Sequence, residues 1–241
     1  FVSAWLLPPH RTFDASAVYH KTRLVPFGEY VPWLHVIPGF QEHIVQVGSF
    51  TPGSGPVVFT VPVRHGGWQP GDSARSDRSD RSDGSNRSDP AEESRPPNSS
   101  PNRALDLLSP PQIRLATSIC FESVYSDHHR AMARSGADLL VNITNDAWYG
   151  RTSGPNQHLQ ICVLRAVETG RPLIRCANTG ITVVVSPAGR ILKRLPFYEQ
   201  GTLNAEIAVA KDAPQTLYTR WGDWWAIGCL LLGVAALLGE L

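Results

Sequence analysis

Apolar runs alternate with turn residues along the second half of the chain, and their spacing predicts alternating strands and helices. The segments IRLATSIC (113–120) and ADLLVNITND (137–146) predict two buried strands, because each is largely apolar and is followed by polar residues. Between them, residues 126–136 have the pattern of a short helix closed by a glycine. The first strand is predicted to end at Cys120.

A longer helix is predicted to begin near Ser153 and Pro155 and to end at Gly170. Its apolar face is formed at helical spacing by Leu159, Cys162, Val163, Ala166 and Val167. The segments PLIRCAN (172–178) and ITVVVSPAG (181–189) then predict two strands, and the turn SPAG leads into a last one. This order predicts an α/β or layered α+β domain.

Residues 64–112 differ sharply in composition from the rest of the chain. The triplet RSD occurs at Arg75, Arg78, Arg81 and Arg87, and large apolar side chains are almost absent. Such a segment cannot bury enough apolar surface to offset the entropy of ordering it. We therefore predict a low-complexity, disordered insertion. An RNA-binding tail of the arginine–serine type is the alternative, but the alternating aspartates cancel the charge.

The last region, residues 217–241, contains a tryptophan cluster followed by a long apolar run. Trp221, Trp224 and Trp225 precede the sequence AIGCLLLGVAALLG. Tryptophans at the edge of an apolar run are typical of a membrane interface, and the run is apolar on every face. We predict a C-terminal transmembrane helix here. A buried core helix is the alternative.

Charge and cysteine content exclude several function classes. The formal net charge of the 241 residues is +1, so no basic field points to nucleic acid. Four cysteines without a CxxC pair predict neither a zinc site nor a disulfide framework. The chain begins with Phe1 and shows no signal peptide, which we interpret as a truncated or processed start.

Cys120 is the first candidate for chemistry. A strand-to-turn junction can project a nucleophile out of a sheet, although most cysteines are buried and inert. Glu122 would point to the same side if the chain continued extended. Lys21 and Glu29 occur together in the segment YHKTRLVPFGEYVP. This segment is either a surface loop or a partly buried lysine–carboxylate pair that assists proton transfer.

The residues after the second buried strand are a second candidate, since ligand loops in α/β sheets lie at such positions. Asn145 and Asp146 could bind a ligand, or they could form an Asx-type turn that starts the next helix. His128 and His129 are adjacent on a helix and do not share a metal site. His158 could pair with a cysteine, but the sequence offers nothing nearby to orient it.

Four ordered blocks combine these candidates: KTRLVPFGEYVP, SICFES, LLVNITNDAWYG with SGPNQH, and LRAVETGRPLIRCANTGITVVVSPAGRI. They resemble successive blocks of the bacterial apolipoprotein N-acyltransferases of the nitrilase superfamily. The resemblance implies that residues 1–216 are part of a nitrilase-type αββα sandwich, interrupted by the insertion. It also implies that the chain is a carboxy-terminal fragment of such an enzyme, whose N-terminal transmembrane helices it lacks.

The resemblance implies a two-step acyl transfer at the periplasmic side of the bacterial inner membrane. A phospholipid such as phosphatidylethanolamine would acylate the cysteine as a thioester. The α-amine of the diacylglyceryl cysteine of an apolipoprotein would then take the acyl chain. No metal or organic cofactor is implied, and we expect a monomer. Trp148 and Tyr149 are expected to lie near the acyl pocket and to contact lipid.

The family roles match single residues of this chain. Cys120 matches the nucleophile, and Lys21 matches the catalytic lysine that stabilises the oxyanion together with the backbone N–H of Phe121. Glu29 and Glu122 match additional acidic residues of the family site. The chemistry is consistent, because a thiol must lose a proton and a tetrahedral intermediate needs donors or positive charge.

Two features depart from the family pattern. The superfamily triad includes a glutamate upstream of the lysine, but Asp14 is the only acidic residue before Lys21. We therefore expect the 241 residues alone to be inactive. Phe121 stands where the family often has tyrosine. A soluble nitrilase-superfamily amidase and an inactive membrane-anchored remnant remain as alternatives.

Overall fold

The computed structural model describes residues 2–5, 17–26, 29–30, 50–63 and 112–239. The chain divides into two units, residues 1–61 with 113–241 and residues 62–112. The fold described below is that of the first unit. The predicted insertion lies outside the described residues, except for its last residue, Gln112.

A six-stranded sheet with the order β3-β4-β5-β6-β7-β8 forms the centre of this unit. The strands are β3 (Val58–Pro62), β4 (Gln112–Ile119), β5 (Leu139–Asn145), β6 (Leu173–Asn178), β7 (Val183–Val185) and β8 (Ile191–Arg194). Strands β4, β5 and β6 are parallel, and β7 and β8 continue antiparallel. The strands predicted from the second half of the chain are therefore confirmed.

Two helices connect the parallel strands, α1 (Ser126–Arg134) and α2 (Gly154–Thr169). Helix α2 has Pro155 in its first turn, where the missing N–H costs nothing, and ends at Gly170 in the left-handed conformation. Both helices cover one face of the sheet. The core between these helices and the sheet consists of Ala116, Met132, Ala137, Leu140, Leu159, Cys162, Ala166, Leu173, Ile181, Val183 and Val185.

The opposite face of the sheet packs against a short antiparallel ribbon of β1 (Ser3–Trp5) and β2 (Val18–His20). Ala4 and Tyr19 of the ribbon form a second buried cluster with Phe59 and Ile119. Because apolar side chains alternate along β4, one strand contributes to both clusters. The described residues thus form a helix layer, a sheet and a ribbon, which confirms a mixed α/β fold.

The C-terminal region differs from the prediction of a single transmembrane helix over residues 217–241. The chain forms α3 (Leu217–Trp221), turns at Gly222 with a φ of 68°, and continues as α4 (Trp224–Gly239). Helix α4 has 16 residues, about 24 Å against a hydrocarbon core of about 30 Å. Among the helices that the structure describes, none is long and apolar enough to cross a membrane.

Candidate active site

Cys120 begins a tight turn directly after β4. The turn is a 3₁₀-helix over Cys120–Val124, and the cysteine has a φ of 52°, a strained value for a residue with a side chain. Such a conformation costs about 1–3 kcal/mol and persists only where its surroundings hold it. The cysteine is half-buried and packs on the cluster that contains Tyr19 and Ile119. The predicted junction between strand and turn at Cys120 is confirmed.

The carboxylate of Glu122 is completely buried and accepts hydrogen bonds from two distant segments. From its own turn it accepts the N–H of Ile119 at 2.8 Å. From the segment around Lys21 it accepts the hydroxyl of Tyr19 (2.7 Å) and the backbone N–H groups of Thr22 (2.6 Å) and Arg23 (3.0 Å). This carboxylate therefore fastens the lysine segment to the cysteine turn.

The direction of the Glu122 side chain was predicted incorrectly from an extended chain. The turn after β4 rotates the side chain back toward the strand end and the residues around Lys21. With its oxygens already satisfied by backbone and hydroxyl donors, Glu122 is suited to hold the site together rather than to exchange protons.

Lys21 is buried with 1% of its surface exposed, so it is not a solvated surface charge. Its ammonium group donates to both oxygens of Glu29, at 2.6 and 2.7 Å. Glu29 in turn accepts the backbone N–H of Val25 at 2.8 Å. A buried lysine is stable only when its charge is paired in this way. Between the two possibilities for this segment, the partly buried lysine–carboxylate pair is the one observed.

The structure brings the four predicted polar residues into one corner of the unit. Tyr19 lies two residues before Lys21 and shares a cluster with Cys120. Glu122 lies two residues after the cysteine and binds the segment immediately after the lysine. A thiol and a buried ammonium–carboxylate pair on adjoining segments are groups that can form a covalent acyl intermediate and stabilise its oxyanion.

Tyr149 lies within electrostatic reach of the cysteine. It lies on a short 3₁₀-helix, Ala147–Tyr149, after β5. Burial raises the pKa of its hydroxyl, and the negative charge of a Cys120 thiolate raises that pKa further. Trp148 is 89% exposed and faces away from the core. Phe121 is half-buried and packs edge-to-face on Tyr125, with ring centres 5.9 Å apart.

The loop after β5 forms the Asx-type turn, one of the two possibilities considered for it. The side chain of Asn145 accepts the backbone N–H of Ala147 at 3.1 Å, which is an Asx-type turn. Asp146 instead points inward and is buried, with its carboxylate 2.6 Å from the guanidinium of Arg175. Asn145 remains exposed, whereas the carboxylate of Asp146 is enclosed by buried partners.

A buried network beneath Cys120 was missed. His158 has an orienting partner, contrary to the prediction, because its Nδ1 lies 3.0 Å from Oδ1 of Asp146. Burial alone would raise the pKa of Asp146, but the hydrogen bond with His158 and the charge of Arg175 outweigh it and lower that pKa. An arginine inside the apolar strand PLIRCAN was the available signal, since a buried charge requires a buried partner.

Comparison with known proteins identifies relatives along almost the whole chain. The carbon–nitrogen hydrolase family model matches residues 2–213. The apolipoprotein N-acyltransferase of Geobacter metallireducens is 32% identical over 95% of this chain, and that of Azotobacter vinelandii is 34% identical over 93%. These matches cover 34% of each relative, so the chain spans about a third of their length. The resemblance seen in the sequence blocks is confirmed.

Among solved structures, an amidase from Nesterenkonia sp. AN1 superposes on this chain with a TM-score of 0.37. Its sequence identity is 22%, and the superposition covers 74% of this chain and 47% of the amidase.

Proposed function

Because the chain belongs to the carbon–nitrogen hydrolase family, we propose that it provides the acyl-carrying cysteine site of an apolipoprotein N-acyltransferase. The observation that supports this most directly is the position of Cys120. The cysteine lies on a strained turn that Glu122 fastens to the buried Lys21–Glu29 pair. A nucleophile and a cationic group are thus held on adjoining segments before any substrate binds.

In the proposed first step, the Cys120 thiolate attacks the ester carbonyl of a phospholipid acyl chain. The carbon–sulfur bond forms, the carbon–oxygen bond breaks, and the lysophospholipid alkoxide takes up a proton. In the second step, the α-amine of the diacylglyceryl cysteine of an apolipoprotein attacks the thioester. The carbon–nitrogen bond of an amide forms, the carbon–sulfur bond breaks, and the proton lost by the amine passes to the departing thiolate, which regenerates the thiol. The donor is a membrane lipid, and the family resemblance leads us to place this reaction at the periplasmic side of the bacterial inner membrane.

Each polar residue has a proposed role in these steps. The ammonium group of Lys21 and the backbone N–H of Phe121 would stabilise the oxyanion of the tetrahedral intermediate. Glu29 would hold the ammonium group of Lys21 in place through its two short hydrogen bonds. Glu122 would hold the lysine segment against the turn. No metal ion or organic cofactor has a part in this scheme.

The aromatic residues have proposed roles in binding the acyl chain. Trp148 is exposed and adjoins Tyr149 in the chain, and the negative charge of a Cys120 thiolate raises the pKa of the Tyr149 hydroxyl. Flat aromatic side chains suit contact with acyl chains, since they bury a large apolar area. We further propose that the 241 residues alone do not turn over, because no residue before Lys21 matches the glutamate of the superfamily triad.

The proposal is tested by trapping the acyl-enzyme in the protein at its full natural length. After incubation with phosphatidylethanolamine, mass spectrometry should find an acyl group on Cys120 that hydroxylamine removes. The variant Cys120→Ser should give neither this thioester nor an acylated apolipoprotein. Cys176→Ser, which changes an exposed cysteine on β6, should retain both. An acylated apolipoprotein from Cys120→Ser would disprove the assignment.

The family description favours one second candidate, an amidase that uses the same cysteine on a C–N bond. The two candidates differ in the acyl donor. If short-chain amides acylate Cys120 and are hydrolysed while phosphatidylethanolamine leaves no thioester, the amidase is the correct function.

A further inference from the structure

We propose that Asp146, His158 and Arg175 form a buried positioning network that aims the backbone N–H of Phe121 at the reacting carbonyl. The inference rests on the proposed role of Cys120 as the acyl carrier. It adds three residues that no step of the proposed mechanism uses.

Arg175 is the centre of the network and is completely buried in β6. Its guanidinium donates to Oδ2 of Asp146 and to Oδ1 of Asn142, both at 2.6 Å, and lies 3.1 Å from Nδ1 of His158. Sheet register explains these contacts, because Arg175 is the direct neighbour of Asn142 on the adjacent parallel strand. The network is thus anchored in the most central part of the sheet.

From this anchor, the network reaches the carbonyl oxygen of Cys120. Nε2 of His158 lies 3.2 Å from that oxygen and 2.8 Å from the hydroxyl of Ser123. The same oxygen is 3.2 Å from the Ser123 hydroxyl and 3.4 Å from Nδ2 of Asn142. Three polar groups therefore surround one backbone oxygen on its inner side.

Because the carbonyl of Cys120 is held in place, the direction of the N–H of Phe121 is also fixed. The carbonyl of Cys120 and the N–H of Phe121 belong to one planar trans peptide, so they point in opposite directions. A carbonyl held toward the buried network sends the N–H away from it. Phe121 is also the second residue of the 3₁₀-helix, where the N–H has no acceptor within the helix. The network leaves this donor aimed outward for an oxyanion.

The contacts also distinguish this role from that of a general base. Nε2 of His158 lies within hydrogen-bonding distance of the Cys120 carbonyl oxygen and of the Ser123 hydroxyl. Asp146 and Arg175 contact the other ring nitrogen. His158 is therefore a positioning residue that acts through the turn. Loss of the network should impair a reaction that needs the oxyanion donor and should spare one that needs only the thiolate.

Two rates, measured in the protein at its full natural length, separate these effects. Acylation of Cys120 by phosphatidylethanolamine passes through an oxyanion, whereas alkylation by iodoacetamide is a direct displacement without one. In His158→Leu, acylation should slow by roughly 10- to 100-fold, as expected for a misplaced catalytic group. Alkylation should stay within about threefold of wild type. His158→Gln, whose amide can still reach the Cys120 carbonyl, should recover most of the acylation rate.

A matched pair of aspartates provides the control. Asp146 and Asp138 are each 1% exposed and each bind an arginine, but Asp138 lies at the opposite end of the β5 region. Asp146→Asn should lower the ratio of acylation to alkylation, and Asp138→Asn should leave that ratio unchanged.

The inference is overturned if His158→Leu acylates as fast as wild type, or if both of its rates fall equally. Should that variant not fold, Ser123→Ala decides by the same ratio, because the serine hydroxyl bonds to the Cys120 carbonyl. A wild-type protein that forms no thioester removes the proposed function and the inference with it. A wild-type thioester that His158→Leu forms equally fast removes the inference alone.

Discussion

At the scale of single residues, Glu122 connects two parts of the chain that lie about a hundred positions apart. Its charge is isolated from water, which would be costly without partners. Backbone N–H groups of Ile119, Thr22 and Arg23 and the hydroxyl of Tyr19 supply those partners. Hydrogen bonds to an ionised acceptor are about twice as strong as neutral ones. One carboxylate can therefore hold the lysine segment against the cysteine turn.

We predict that Glu122→Gln lowers the free energy of unfolding by about 1–3 kcal/mol, because the amide NH₂ replaces an acceptor and leaves a buried N–H unpaired. Urea unfolding measures the change. Glu168→Gln is the matched control, since Glu168 is half-buried in an ion pair with Arg165 and should cost at most about 1 kcal/mol. Equal losses in the two variants would contradict the special position of Glu122.

The second prediction concerns His129 and the pH dependence of the free energy of unfolding. Burial, with a smaller contribution from the charges of His128 and Arg165, lowers its pKa from 6.5 to about 3. Below pH 6.5, His129 therefore binds a proton in the unfolded chain but stays neutral in the folded protein until the pH approaches 3. The free energy of unfolding falls as the pH drops through this range. Between pH 7 and pH 5, His129 should account for about 2 kcal/mol of that loss.

Urea unfolding of wild type and His129→Gln at pH 7, 6 and 5 checks this value. The variant lacks the titrating group, so its free energy of unfolding should decline less steeply with falling pH. Parallel declines in the two proteins would show that His129 is accessible to protons in the folded state.

The reactive residue types at the site were predictable from the sequence, but the contacts that organise them were not. Cys120 follows a recognisable strand, and Lys21 and Glu29 belong to a recognisable block. The backbone turn at positive φ decides where Glu122 points, and no local pattern encodes that angle. The pairing of His158 with Asp146 also depends on how α2 packs against the end of β5, which is a tertiary relation.

At the scale of elements, periodicity predicted the second half of the fold because the strands and helices there bury one consistent face. The C-terminal region contains a boundary that periodicity does not mark. The apolar run 226–239 lies within α4, and Gly222, with a φ of 68°, separates α4 from α3. Arg130 of α1 donates to the carbonyls of Tyr218 and Thr219, which ties α3 to the domain. The sequence of the apolar run alone does not predict this contact.

The turn between β6 and β7 gives a prediction at this scale. A methyl group on Gly180 would overlap the carboxylate of Asp146 and lie 2.9 Å from Cβ of Ala177. Gly180→Ala should therefore lower the free energy of unfolding by about 1–3 kcal/mol, the usual cost of overpacking. Thermal or urea unfolding measures it.

Gly201→Ala is the control for that substitution, since its nearest neighbour would be Leu195 at an ordinary distance of 3.5 Å. It should change stability by no more than about 0.5 kcal/mol. If Gly180→Ala proved equally harmless, the carboxylate of Asp146 would have room to move, and the close packing of this turn around the buried network would be disproved.

At the scale of the whole molecule, the site depends on elements that lie far apart along the chain. The ribbon side supplies Lys21, and the sheet supplies Cys120 at the end of β4. Strands β3 and β4 are neighbours in the sheet, although the predicted insertion separates them in sequence. The active-site corner can therefore form only if β4 pairs beside β3 after the insertion.

This arrangement predicts how the protein tolerates loss of the insertion. Deletion of residues 70–105 leaves 13 residues, 63–69 and 106–111, between β3 and β4, which reach roughly 40 Å when extended. Strands of 5 and 8 residues are at most about 27 Å long, so the shortened connection can join neighbouring strands in either orientation. Loop closure depends only weakly on length, so stability should change by at most about 1 kcal/mol. Thioester formation on Cys120 should persist; a deletion variant that fails to fold would show that the segment is part of the core.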